Sequence, residues 1–331
     1  NSENWVPTNN EGVKSFMPNG FTGVMSAVAG VFFAYIGFDA LSVLSEETKN
    51  PEKTLPKGMI ISLVLSTAIY IVLTLVLTGI VDYRKFEGIG DPLSFIFAPQ
   101  NANIPWMEFV VSVTAIVAIT TVLLVFQMGQ PRIWMSMSRD GLMPKKFAEI
   151  HPKYKTPSFA TIITGVAVGL PILFTDKTFI LDFTSIGTIF AFVLVNGGIL
   201  LMPQKEKLKG RFHLPYINAK YIFPVFFIGG LVGFYFWQPE FFHNLWNITD
   251  EHEGEFRLSI IIFLIINLVL VVLSYLKNLS LIPLLGLTSC LYLLTGMTHN
   301  NWFWFGLWFI IGLGIYFFYG KKNSKLNPEN M

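Results

Sequence analysis

Beyond residue 50, seven stretches of 19 residues or more carry no Asp, Glu, Lys or Arg: 58–81, 109–131, 156–175, 183–204, 221–239, 258–276 and 278–320. About 20 residues of helix cross a bilayer core. Hydrocarbon offers no partner to a backbone N–H or C=O, so a spanning segment must satisfy its own backbone, and the α-helix does so. The run 278–320 holds 43 residues, which is two spans joined near Thr298-His299-Asn300-Asn301. An opening apolar segment, roughly 16–45, adds one more. The expected fold is an all-α polytopic membrane protein of about nine transmembrane helices. Charged residues make up 13% of the chain, against about 25% in soluble proteins. The runs are too long and too many for a signal peptide.

Nine spans place alternate loops on alternate sides. The loops 45–57, 132–155 and 203–220, the turn at 277 and the tail from 321 hold 18 Lys and Arg, and the remaining loops hold five: Lys14, Arg84, Lys85, Lys177 and Arg257. The excess of cations marks the cytoplasmic side. The N-terminus is therefore expected outside and the C-terminus inside, in a multi-pass protein of the plasma membrane. The basic residues follow topology, and no nucleic-acid signature accompanies them. The chain starts with Asn1 outside the membrane, which reads as the C-terminal portion of a longer protein or as a processed N-terminus. A single cysteine, Cys290, excludes an intrachain disulfide and reads as a small apolar packing residue. The five histidines are scattered in loops, so neither a metal site nor a cofactor is expected.

The first span contains Gly30-Val31-Phe32-Phe33-Ala34-Tyr35-Ile36-Gly37-Phe38-Asp39, followed by Glu46-Glu47-Thr48-Lys49-Asn50-Pro51. Glycine weakens a helix interior and an acid is costly in lipid. Together they point to a helix broken at Tyr35–Asp39, with Ala40 to Glu47 as a short second half-helix. Such a break frees carbonyls at Phe33, Ala34 and Ile36 to hold an ammonium or a cation. A glycine packing notch in an unbroken helix is the competing reading. Asp39 serves proton coupling or holds the unwound segment, or else is hydrated at the cytosolic interface. Glu46 and Glu47 and, from another loop, Arg132, Arg139 and Asp140 form an inner gate or are plain surface charge. Thr120 and Thr121 are sodium ligands or bond their own helix. Phe126, if it faces a cavity, limits side-chain length. Pro56 is expected at the start of the second span. Trp302, Trp304, Trp308 and Tyr316 read as interfacial belt and lipid contact.

The motifs Phe33-Ala34-Tyr35-Ile36-Gly37-Phe38-Asp39, Glu46-Glu47 with Asn50-Pro51, and Pro131-Arg132 through Ser138-Arg139-Asp140-Gly141-Leu142 resemble the amino acid–polyamine–organocation superfamily. Within it they are most similar to the cationic amino acid transporter family. The resemblance covers essentially the whole chain. It implies a LeuT-like fold of two inverted five-helix repeats, with 1–15 an extracellular loop, 16–204 the second repeat with its broken first helix, and 205–331 accessory helices and a cytoplasmic tail. The first repeat, an N-terminal transmembrane half, is then a missing partner. The resemblance further implies that Phe33, Ala34, Ile36 and Gly37 form the substrate site, with Phe33 also a gate. Phe126 stands where animal cationic carriers have a small residue, so small neutral amino acids are expected to be preferred over arginine. The function implied is a permease working by alternating access, with a free amino acid as substrate, protons as coupling ion and lipid as surroundings. Asp39, Glu46, Glu47 and Arg139 would couple or gate. Cationic uptake, exchange, or a non-transporting amino acid sensor are the alternatives; a membrane-embedded enzyme would need a cluster of His, Asp or Cys at membrane depth.

Overall fold

The computed structural model describes residues 2–7, 14–38, 40–43, 48–202, 215–237, 239, 242 and 251–325. Among these residues the regular structure is helical: α1 (Gly20–Phe32), α2 (Ala40–Val43), α3 (Pro51–Ile80), α4 (Pro92–Phe95), α5 (Pro105–Arg139), α6 (Ser158–Ile172), α7 (Lys177–Leu201), α8 (Ala219–Trp237), α9 (Glu251–Lys277), α10 (Leu281–Thr295), α11 (His299–Ile315) and α12 (Lys321–Asn323), with short 3₁₀ and π turns between them. Seven segments are long and apolar enough to cross a membrane by length and composition, and α6 and α10, of 15 residues each, are shorter apolar helices. The chain is an all-α, multi-pass membrane protein. The run 278–320 divides into two helices as expected, but at Gly296–Thr298, slightly before the expected Thr298–Asn301, since His299 already opens α11.

The second span starts earlier than its sequence suggests. Asn50 takes a left-handed backbone, φ 52, and Pro51 opens α3. Proline suits the first helical position because its missing N–H has no intrahelical acceptor there. Pro56 therefore lies inside α3 rather than at its start. Likewise α5 runs on through Arg139, so Pro131 to Arg139 is helix and not loop.

The chain packs as two compact units, one of residues 1–25, 37–174 and 314–331 and one of 26–36 and 175–313. In the first, α5 and α6 are joined by a turn with its own aromatic seam. Phe147 meets Trp134 at 5.3 Å and Phe159 at 5.1 Å between ring centroids, edge to face. Ser138 Oγ donates to the Pro144 carbonyl at 2.7 Å, and Gly141, at φ 83, makes the bend. The tail lies on this bend: Lys325 N–H donates to the Asp140 carbonyl at 3.0 Å. The Asn323 carbonyl occupies the space where a Gly141 side chain would stand. At the other end, Trp5 Nε1 donates to the Leu75 carbonyl and Asn4 Nδ2 to that of Gly79, fixing the N-terminal segment on α3.

The second unit is built around α10. Leu284 and Leu287 join Ala219, Phe223 and Leu270 in one core, and Cys290 and Leu294 join Ile186, Ile189, Met297 and Phe305 in another. A helix apolar on every face is one covered on every face, and α10 contributes to both cores. Cys290 is the buried packing residue its surroundings in the sequence suggest.

Candidate functional site

In the opening segment, α1 ends at Phe32, Phe33–Tyr35 form a single 3₁₀ turn, Ile36 is extended (φ −62, ψ 128) and the helix resumes at Ala40. The regular helix thus ends three residues before Tyr35. The Phe33 carbonyl accepts from the Ile36 N–H at 3.1 Å, and the Gly37 carbonyl from the Ala40 N–H at 3.1 Å. A carbonyl has two lone pairs, so the Phe33 oxygen keeps capacity for one more donor. Gly37 sits at φ 124, a backbone that only glycine adopts without strain. Within the second unit Phe32 meets Phe192 edge to face at 6.2 Å, which anchors the upstream side of the break on α7.

Gly37 also faces a ring. A Cβ added there would lie 3.9 Å from Phe126 Cζ on α5. These two residues, 89 apart in the chain, are thus brought into contact within one unit. The α5 helix runs unbroken here with a proline inside it. Pro131 has no N–H to give the Gln127 carbonyl four residues back. The Gln127 side chain crosses instead to α6, where Nε2 donates to the Thr161 carbonyl at 2.8 Å. The site is thus a strained glycine on one broken helix beneath a phenylalanine on another, with an amide tie beside it.

Comparison with known proteins bears on this geometry. The family model for amino acid permeases matches residues 1–249, and the model for the C-terminus of these permeases matches 279–324. The chain belongs to the amino acid permease family. It is a member of the amino acid–polyamine–organocation superfamily. It is 33% identical over 325 residues to the branched-chain amino acid permease of Bacillus subtilis, covering 98% of this chain and 54% of that protein. It is 31% identical to the methylthioribose transporter of the same organism, covering 98% of this chain and 55% of that protein. Cationic amino acid transporter 4 of Homo sapiens is 27% identical, covering 96% of this chain and 58% of that protein. The chain spans about half the length of these relatives.

Of the residues singled out in this chain by sequence, Phe33, Ala34 and Ile36 belong to the second unit and Gly37, Phe126 and Arg139 to the first. Phe33 and Phe126 are both exposed. Asp39, Glu46 and Glu47 lie outside the described residues, as does the rest of the half-helix beyond Val43. Arg139 closes α5, with Asp140 as its cap. Thr120 and Thr121 donate to the carbonyls of Ile116 and Val117, four residues back, at 2.8 and 2.9 Å. Their hydroxyls bond their own helix, the second of the two readings.

Sequence reasoning overlooked two polar ties and one close helix approach. Asn301 Nδ2 donates to Asp182 Oδ2 at 3.0 Å between α11 and α7. Thr288 Oγ1 donates to Asn267 Oδ1 at 2.8 Å between α10 and α9, and Asn267 is fully buried. Asn196 lies so close to Gly286 that a Cβ there would stand 2.8 Å from its Oδ1. Asp182 sits just before the charge-free run 183–204, where an acid reads as loop. The helix in fact begins five residues earlier, at Lys177. A neutral Asn or Thr inside an apolar run is the signal for such ties.

Proposed function

We propose that this chain is the second-repeat and accessory part of a secondary amino acid permease, working by alternating access in the plasma membrane with its C-terminus cytoplasmic. Membership of the permease family and the break at Phe33–Gly37 support the reading. An extended backbone at membrane depth presents carbonyls to an ammonium. Those of Phe33, Ala34 and Ile36 take that role, Phe33 gates, and the first repeat of the complete carrier, held to be a partner of this chain, supplies the remainder of the site. Asp39, Glu46, Glu47 and Arg139 couple or gate. The resident chemistry is binding and conformational change, not catalysis.

The observation that carries the substrate assignment is Phe126 against Gly37. A ring there shortens the room for a side chain, which favours small neutral amino acids such as alanine, taken up with protons. The relatives are named for branched-chain, cationic and methylthioribose substrates, so kinship alone does not choose among them. Cationic uptake is the second reading, favoured by the resemblance of the Phe33–Asp39 motif to cationic carriers.

The test is uptake of labelled alanine and arginine by the complete carrier in proteoliposomes, with an inward proton gradient and no sodium. Alanine uptake that collapses with the gradient is expected. Replacing Phe126→Ser should raise uptake of longer cationic substrates about tenfold relative to alanine, in the range that one pocket group controls. Arginine uptake by the unaltered carrier would overturn the short-pocket assignment and leave the fold standing.

A further inference from the structure

Where α8 begins and α9 ends, the second unit carries a small ordered structure that the transport reading does not use. Asn218 and Ser280 form an isolated antiparallel bridge. Ala219 N–H donates to the Leu279 carbonyl at 2.9 Å and Leu281 N–H to that of Ile217 at 2.8 Å. Tyr216 Oη donates to the Asn278 carbonyl at 2.6 Å, and Asn278 turns the chain at φ 49. The staple holds Lys220 in place. Its Nζ lies 5.0 Å from the Tyr275 ring centre and 5.6 Å from that of Tyr221, and the two rings meet edge to face at 6.1 Å. Lys277 stands exposed two residues beyond Tyr275.

Among the described residues of α8 and its approach and of the α9–α10 turn, no carboxylate stands beside the two ammonium groups. Among the described residues of 201–225 and 270–297 there is no Asp or Glu. The cations border on apolar surface. On α8, Tyr221, Val225, Ile228 and Val232 recur at helical spacing, and on α9 Leu268, Val272 and Tyr275 do the same, all of them exposed. A free anion would find charge here but no use for the apolar stripe above it. A phospholipid with an anionic head and acyl chains matches both.

We propose that Lys220, Lys277 and the Tyr221–Tyr275 pair form a site for the head group of an anionic phospholipid, with its chains along the exposed faces of α8 and α9. The rings hold the Lys220 ammonium by cation–π contact, and its N–H donors can still reach phosphate oxygens. Basic positions at a helix end near the bilayer surface each contribute about a five-fold gain for such lipids. The inference rests on the proposed membrane placement for its leaflet, the cytoplasmic one.

The experiment is native mass spectrometry of the complete carrier in detergent, titrated separately with phosphatidylglycerol, phosphatidylcholine and inorganic phosphate. Retention of one phosphatidylglycerol in preference to phosphatidylcholine is expected, undisturbed by millimolar phosphate. Lys220→Gln with Lys277→Gln should weaken it about 25-fold, and Lys145→Gln should leave it unchanged. Equal retention of both lipids, displacement by phosphate, or an unaltered affinity in the double variant would overturn the site. The lipid preference of the unaltered protein stands as a test whether or not the variants fold. Binding in detergent is blind to transport and orientation. Lipid preference without uptake therefore sinks only the transport reading, and uptake without lipid preference sinks only this one.

Discussion

The two units hold their helices by different means. In the second, α7, α9, α10 and α11 share buried cores and are tied by Asn301 to Asp182, by Thr288 to Asn267, and by the close seat of Asn196 on Gly286. In the first, the most apolar windows of α3 and α5 have no buried residue at all, and the tie between α5 and α6 is Gln127 to Thr161. In water the first arrangement would be untenable. In hydrocarbon an exposed leucine costs nothing, and helices associate through close packing of small residues and polar contacts. The contrast therefore measures commitment. The second unit is fastened as a frame, whereas the first carries the strained Gly37 and long faces free to meet lipid or other helices.

The frame should be the more fragile to substitution. Gly286→Leu forces a side chain into the Asn196 amide and should cost about 3 kcal/mol or more, read as loss of folded yield and a lowered Tm in detergent. A normal Tm would mean that α7 and α10 can part freely. Asn301→Leu takes the donor from Asp182 and should cost about 2 kcal/mol. Adding Asp182→Leu should recover much of that, because the orphaned acid, not the missing bond, is the larger penalty. In the other unit, Gly37→Ala imposes a side chain on φ 124 at a local cost of about 1–2 kcal/mol. Uptake should fall severalfold with Tm nearly unchanged, and a large Tm loss instead would make the break structural. Smallest is Gln127→Leu, about 0.6 kcal/mol in stability. Its effect should be seen mainly as altered selectivity, through the neighbouring Phe126.

The helices were legible because bilayer thickness acts on whole segments. The break at Phe33–Gly37 was legible too, since glycine and an aromatic run in a spanning segment leave few options. Its position was less so: the 3₁₀ turn begins at Phe33, where the Ile36 N–H to Phe33 carbonyl bond closes it, next to the long-range contact of Phe32 with Phe192. Pro56 misled because Asn50-Pro51 already satisfies the helix start. The contact of Gly37 with Phe126 joins residues far apart in the chain, and no local pattern encodes it. Asp182 was passed over for a similar reason, its partner lying on α11.

The tail resting on the Asp140–Leu142 bend carries a consequence for any attempt to recombine such carriers. Since the Asn323 carbonyl fills the volume that a residue other than glycine would need at position 141, the two segments behave as a matched lock and key. A chimera that exchanges the C-terminal segment must exchange the bend along with it. A graft that brings in a tail of different length between Gly320 and Lys325 should misfit even if every transmembrane helix is kept.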